Sequence, residues 1–525
     1  MLRTLASATF LLTFALVLVG PAPAANLSEP GRIFPLQEAL FRGLERNFDL
    51  QSERLNLPIG SEEVTAAAAR FDAVADAAVS AAGERTPTAA TSFDDIYAQS
   101  RRYEAAIGLG KEFPTGLDAR LALESSRLSS NATAPGLDPE YRTFLILDFT
   151  QPLLRDFGSA VNSTDLRLAD QRLLQARFGY LDQAQRLAEA IELAYFELAR
   201  THELLRLRIE SRELARELLA GNRDKFEAGI VPITEVQEAE TAIAARDEQV
   251  VVARQQLETA DNRLKALLAI GHDDPFATVL LRTEPLPGTG QAWPPLETAL
   301  AAALKERPDL ERQRRELASR DIRLAFFQSQ KLPRLDLEAS LGVNGLAGEI
   351  AGAETPGARA NRGDYWHSLD QATSGDGYAW FAGLRFAYPL GNRAAVAGYR
   401  RAGHEKRQAL YRLQGLENTV ETEVRNALTA VERGFERVQV AERFQQLAAI
   451  TLSQEMERLR EGLTDTFRVL DFQDDVIEAR VRQANALVDF NQGLSSLYRA
   501  MGANLQRRSI LSPLEAKEET PHARN

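Results

Sequence analysis

Residues 225–240 read KFEAGIVPITEVQEAE, and they join two long stretches with helical patterning. Gly229 ends the first stretch, because glycine enters the left-handed region without a Cβ penalty. Pro232 opens the second, where its missing N–H costs nothing. A second copy stands at 458–471, RLREGLTDTFRVLD. Gly462 answers Gly229, Leu463 answers Ile230, Val469 answers Val236 and Asp471 answers Glu238, each 233 positions later. Helical hairpins often turn on glycine, but one constant offset points to an internal duplication.

Working outward, each turn lies between helices of unusual length. No proline interrupts 160–226 or 394–460. Apolar residues recur there at steps of three and four, as in Leu410, Leu413, Leu416, Val420, Val424, Leu428 and Val431. Each stretch predicts a helix on the order of 100 Å, and such lengths suggest coiled-coil-like packing. The returning helices are expected over 233–270 and 466–501. Shorter helical stretches are expected over 36–69 and 296–330, the latter with Pro308 starting its longer piece.

Strand signals precede each long helix. Leu145, Leu147 and Phe149 alternate with Phe144, Ile146 and Asp148 before Pro152 closes the run. Leu335, Leu337, Ala339, Leu341 and Val343 alternate with Asp336, Glu338, Ser340 and Gly342. Tyr378, Trp380, Leu384, Phe386 and Tyr388 alternate with Ala379, Phe381, Gly383 and Arg385 before Pro389. Pro389 follows Pro152 by 237 positions, close to the offset of the turns. Residues 103–124 read as a further hairpin around the Phe113-Pro114-Thr115-Gly116 turn. The Ala-rich segment 71–83 is ambiguous between helix end and weak strand, 86–92 and 129–139 read as loops, and 346–377 as a long loop.

Large apolar groups on one strand face and small or charged groups on the other are the alternation of a membrane β-barrel. A sheet packed on a helix shows the same alternation. The N-terminus argues for export. Arg3, an apolar run over 10–20 and Ala22-Pro23-Ala24 form a secretory signal, with cleavage expected after Ala24. No later run reaches the roughly 18 apolar residues of a membrane helix. Few strands cannot close a barrel alone, so identical chains must pool them with cyclic symmetry.

The 525 residues include no cysteine, which excludes disulfides and thiolate chemistry. The net charge of −12 is spread along the helices, and no basic stripe suggests nucleic acid. The five histidines, His202, His272, His367, His404 and His522, lack metal-ligand spacing. Phosphate-loop and nucleophile-elbow motifs are also missing. An enzyme is therefore a poor fit, and no cofactor or metal is expected.

The motifs QPLLRDFG at 151–158, AGIVPITEVQEAE at 228–240, EGLTDTFRVLD at 461–471 and ERPDLERQRRELASRDIRLAFFQSQKLPRLDLEASLG at 306–342 together resemble the TolC-like outer-membrane efflux proteins. The resemblance covers nearly the whole mature chain. It implies a mainly α-helical homotrimer with a 12-stranded β-barrel, four strands from each chain, continued by an α-helical tunnel into the periplasm. It implies a passive outer-membrane conduit of a Gram-negative bacterium. A periplasmic adaptor and an inner-membrane transporter would be its partners, with outer-membrane lipid around it. The organisation expected is a signal peptide (1–24), a first repeat (25–270), a linker (271–295), a second repeat (296–504) and a flexible tail (505–525).

The same resemblance implies site residues. Asp471 matches an acidic position of the periplasmic constriction, Arg468 stands where another acid is usual, and Glu235 matches an acidic member of the first repeat. An exposed i,i+3 Arg–Asp pair is the plainer reading of the first two. Thr464 and Leu459 stand where a basic and an aromatic locking partner would sit, so closure is expected to use other contacts. The turns at Gly229, Ile230, Gly462 and Leu463 are expected to meet the adaptor. Tyr378, Trp380, Phe386 and Tyr388 are expected to face lipid. A structural coiled-coil protein of the periplasm or surface is the rival, but it leaves the aromatic-faced strands unexplained. The cargo is not written in the sequence.

Overall fold

Capping residues, rather than the apolar pattern, set the first boundaries of the chain. A computed structural model describes residues 33–87, 97–131, 136–352 and 354–510. The expected N-terminal helix is three: α1 (Leu36–Arg46), α2 (Phe48–Arg54) and α3 (Asn56–Ala68). Asn47 makes the first break. Its side chain accepts from the N–H groups of Asp49 and Leu50 at 3.1 Å each, capping α2 as α1 ends.

Four strands follow: β1 (Ala73–Pro87), β2 (Tyr97–Glu112), β3 (Asp118–Ser130) and β4 (Gly136–Pro152). A short α4 (Ser159–Asn162) leads into α5 (Thr164–Glu227), whose 64 residues span about 96 Å. Helix α6 (Ile233–Leu267) returns beside it. The second half carries α7 (Leu296–Glu306), α8 (Pro308–Ser329), β5 (Arg334–Ala351), α9 (Pro356–Ala360), α10 (Tyr365–Ser374) and β6 (Tyr378–Ala387). Then come α11 (Arg393–Arg460), of 68 residues, α12 (Thr466–Ala500) and α13 (Asn504–Arg507).

All six strands form one antiparallel sheet in chain order, β1 to β6. The described residues thus form six strands, two more than the four per chain that the resemblance implies for the barrel. The alanines of 71–83 hid β1, because a strand's preference follows its packing surface more than its backbone. The β2–β3 hairpin does not rise beyond the other strands. Leu109 pairs with Leu121, Leu121 with Leu147, and Leu147 with Leu341, so it lies level with β4 and β5. Its turn sits at the helical end of the sheet, where the Gly158 N–H donates to the Thr115 carbonyl at 3.1 Å. Gly116 has φ +90°, and a Cβ there would meet Asn162 and the Asp156 carbonyl.

The expected long loop 346–377 is also corrected, since it contains the end of β5 and both α9 and α10. Helix α10 lies across β4 and β5, with Ser368 and Thr143 hydroxyls 2.8 Å apart. Of the loop expected at 86–92, residues 88–92 lie outside the described residues, as do the signal segment 1–24 and residues 511–525.

Two apolar cores hold the helices. One gathers Leu40, Ile191, Leu198, Leu264, Leu268 and Leu281 around α1, α5 and α6. The other gathers Leu310, Val424, Val431, Phe490 and Leu494 around α8, α11 and α12. The described start of the expected flexible tail is built into the first. Leu505 and Ile510 are buried there, and the Asn504 amide donates to the Gln185 carbonyl at 2.8 Å.

Candidate functional site

Cross-strand register sorts the sheet into two faces. One face carries the rows Ala75–Leu109–Leu121–Leu147–Leu341–Trp380 and Ala77–Ile107–Leu123–Leu145–Val343–Tyr378. Leu335 and Phe386 extend it toward the helices. From Val343 to Leu335 the strand rises about 26 Å, near 20 Å of height at ordinary barrel tilt. An outer-membrane apolar band has that scale. Trp380 is 71% exposed and Tyr378 69%, so both rings stand uncovered on this face. Phe386 shares their face, whereas Tyr388 lies just beyond the end of β6.

The opposite face carries Asp76, Glu104, Glu112, Arg120, Glu124, Asp148, Glu338 and Arg385, with Gly108, Gly110 and Gly342 between them. Val74, Leu128, Phe144, Ile146, Leu346 and Phe381 are among the apolar residues on this face. Ion pairs cross this face. Arg120 reaches Asp76 at 2.8 Å over Gly108, and Arg385 reaches Glu338 at 2.9 Å. A Cβ on Gly108 would collide with the Asp76 carboxylate, so glycine there lets the pair bridge two strands.

At the far end the two glycine turns are superimposable in bonding. Gly229 has φ +71° and Gly462 φ +70°. The Ile230 N–H donates to Lys225 and the Leu463 N–H to Arg458, each at 2.8 Å, both closing a Schellman motif. Ile230 and Leu463 are 72% and 67% exposed, leaving two apolar side chains at the tips. The N-cap differs between repeats. Pro232 precedes α6, while Asp465 caps α12 by accepting from the Arg468 N–H at 2.9 Å.

Glu235 is not free. Its carboxylate accepts from the Thr466 N–H at 3.1 Å, and Asn222 donates to the Thr466 hydroxyl at 2.9 Å. The two tips are thereby tied together. Arg468 turns toward the buried carboxylate of Glu455 at 3.7 Å, which also takes Arg458 at 3.2 Å and the Thr464 hydroxyl at 2.5 Å. Asp471 stays exposed on α12.

Comparison with known proteins fits this geometry. Residues 299–503 match the family described as outer membrane efflux protein. The chain carries an outer membrane efflux protein domain. No curated protein matches the sequence. Among solved structures, the outer-membrane channel OprN is 20% identical, covers 90% of each chain and has a TM-score of 0.64. The Campylobacter jejuni CmeC outer membrane channel is 18% identical over 92% of this chain and 89% of that one, with a TM-score of 0.63. The open state of the Neisseria gonorrhoeae MtrE outer membrane channel is 16% identical over 90% and 89%, with a TM-score of 0.61. These likenesses establish the fold over nearly the whole chain. The efflux protein domain belongs to transport proteins rather than enzymes. Among the described residues no helix is long and apolar enough to cross a membrane.

Two features of this chain escape sequence reading. Arg246 of α6 is 2% exposed. Its guanidinium meets Asp474 at 2.8 Å, Gln473 at 3.3 Å and the carbonyls of Ser211 and Leu470 at 3.3 and 3.4 Å, joining α5, α6 and α12. Nothing in the surrounding ETAIAARDEQVV marks this arginine as buried. Arg307, between α7 and α8, is the second. It holds Asp309 through two bonds of 3.0 and 2.6 Å, meets Glu423 at 2.5 Å, and donates to the Ala500 carbonyl at 3.3 Å. Burial alone would raise the Asp309 pKa, but the Arg307 guanidinium holds it below the ordinary carboxylate value.

Proposed function

We propose that this chain is the outer-membrane channel of a multi-component efflux or secretion system in a Gram-negative bacterium. The observation that carries the reading is the sheet. Its apolar face suits lipid, its charged face suits water, and helices near 100 Å continue it away from the membrane. In this reading three copies, exported by the N-terminal signal, pool their sheets into a barrel and their helices into a periplasmic tunnel. Passage is passive. An inner-membrane transporter supplies the energy through a periplasmic adaptor, which meets the tips at Gly229, Ile230, Gly462 and Leu463.

Closure of the periplasmic end rests on contacts between repeats. Glu235–Thr466 and Arg246–Asp474 hold α12 against the first repeat. Asp471, exposed on α12, is the candidate for an acidic ring at the constriction. Arg468, drawn to Glu455, shapes that ring indirectly.

Purified protein in planar bilayers is the test. Ion current from a detergent-extracted, heat-modifiable oligomer of the outer-membrane fraction supports the channel. Release by a carbonate wash, with no current, leaves a coiled-coil structural protein instead. Asp471→Ala is expected to weaken cation preference, and Arg246→Ala to raise conductance by loosening the tips. Unchanged selectivity and conductance would remove both from the gate. Crosslinking from Ile230 or Leu463 to an adaptor's helical hairpin tests the docking site.

A further inference from the structure

The sheet ends in two unpartnered edges. Nearly all of β1 and β6 is exposed. Every pairing in the sheet is antiparallel, so β1, β3 and β5 run away from the helices and β2, β4 and β6 run toward them. An edge of one copy therefore meets the other edge of the next copy in antiparallel sense, like every joint within the chain. In lipid an unpaired edge is not tolerated, and a closed ring removes it.

We propose that β1 of one copy pairs with β6 of the next, and that all six strands stay in the wall, so the trimer closes an eighteen-stranded barrel. This rests on the channel reading above and concerns what kind of barrel the channel has. Three observations keep the β2–β3 hairpin in the wall. Its leucines and isoleucine occupy the same apolar rows as β4 and β5. The Arg120–Asp76 pair ties β3 to β1 on the charged face. Its turn is bonded to the helical base through Gly158, and the Gln151 amide donates to the Thr115 carbonyl at 3.3 Å.

Dimensions agree. Helices α3, α5, α8 and α11 meet the base of the sheet and pack in that order. At about 8–10 Å between axes they span about 32–40 Å per copy. Six strands spaced about 4.8 Å and tilted about 40° span about 38 Å, whereas four span about 25 Å. Six strands thus cover the arc of their own helices. Barrel diameter grows nearly in proportion to strand number, so eighteen strands enclose a water-filled passage about 1.5 times wider than twelve would. The consequence is an exit that does not narrow relative to the helical tunnel.

The absence of cysteine makes the joint directly testable. Ala382→Cys on β6 is combined in turn with Ala73→Cys, Ala75→Cys, Ala77→Cys and Ala81→Cys on the same face of β1, and outer membranes are oxidised with copper phenanthroline. One or two adjacent pairings are expected to give covalent dimers and trimers, and single variants neither. No crosslink from any pairing, or a ladder that stops at the dimer, overturns the joint or the count. Electron cryomicroscopy of the unmodified protein supplies the independent measure. Three copies with eighteen strands support the proposal. Three copies with twelve strands, and the hairpin outside the wall, overturn it while the channel reading stands. A monomer that stays soluble without detergent overturns the channel reading itself.

Discussion

Single residues decide the geometry where backbone freedom or buried charge is at stake. Arg307 and Asp309 show the second case. Both are buried, and together with Glu423 and the Ala500 carbonyl they fix the α7–α8 break against α11 and α12. Asp309 titrates below its ordinary value in the fold, despite burial, because Arg307 favours the carboxylate. A carboxyl depressed by folding stabilises the native state above the unfolded pKa, about 4, and loses that contribution as pH falls through the folded value. Asp309→Asn should cost about 3 kcal/mol at neutral pH, because it strands most of a buried guanidinium. It should also flatten the acid limb of the stability curve, measured as Tm against pH below 5. An unchanged acid limb would mean that Asp309 does not report on this contact. The glycine turns were legible in sequence because a left-handed residue leaves a trace in one position. Arg246 was not, because its burial depends on α12, more than 220 residues away.

At the scale of elements, alternation revealed β4, β5 and β6 and their faces, since a period of two survives any tertiary context. It failed for β1, where small residues dominate both faces. The hairpin 103–124 was visible, so five of the six strands could be read from the residues, while the count of four came from the resemblance. Face assignment makes a sharp prediction within two adjacent residues. Leu121 lies in the apolar row and Arg120 on the charged face beside Asp76. Leu121→Arg should destabilise the assembled barrel by about 1–3 kcal/mol, the cost of a cation inside the band but off its midplane. Arg120→Leu loses only a half-exposed ion pair and should cost less than about 1 kcal/mol. The amounts of heat-modifiable oligomer recovered from outer membranes compare the two. Equal recovery would contradict the assigned faces.

Across the whole molecule, the two repeats must deliver their tips to one level. The Glu235–Thr466, Asn222–Thr466 and Arg246–Asp474 contacts all join the first repeat to the second near that level. Helix α5 with α6, and α11 with α12, therefore act as two matched rods whose lengths are coupled. Removing one heptad shortens a rod by about 10 Å while nearly preserving which face points inward. Deleting 207–213 with 248–254 shortens the first rod, and deleting 440–446 with 481–487 shortens the second at the corresponding level. Either pair alone should pull the tips apart by two turns, break all three contacts and leave a constantly conducting channel in bilayers. Both pairs together should restore the contacts and the low resting conductance, in a tunnel about 10 Å shorter. If the fourfold deletion conducts as freely as either pair alone, contacts between the repeats do not set the closed state, and the constriction must be held by contacts between neighbouring copies instead.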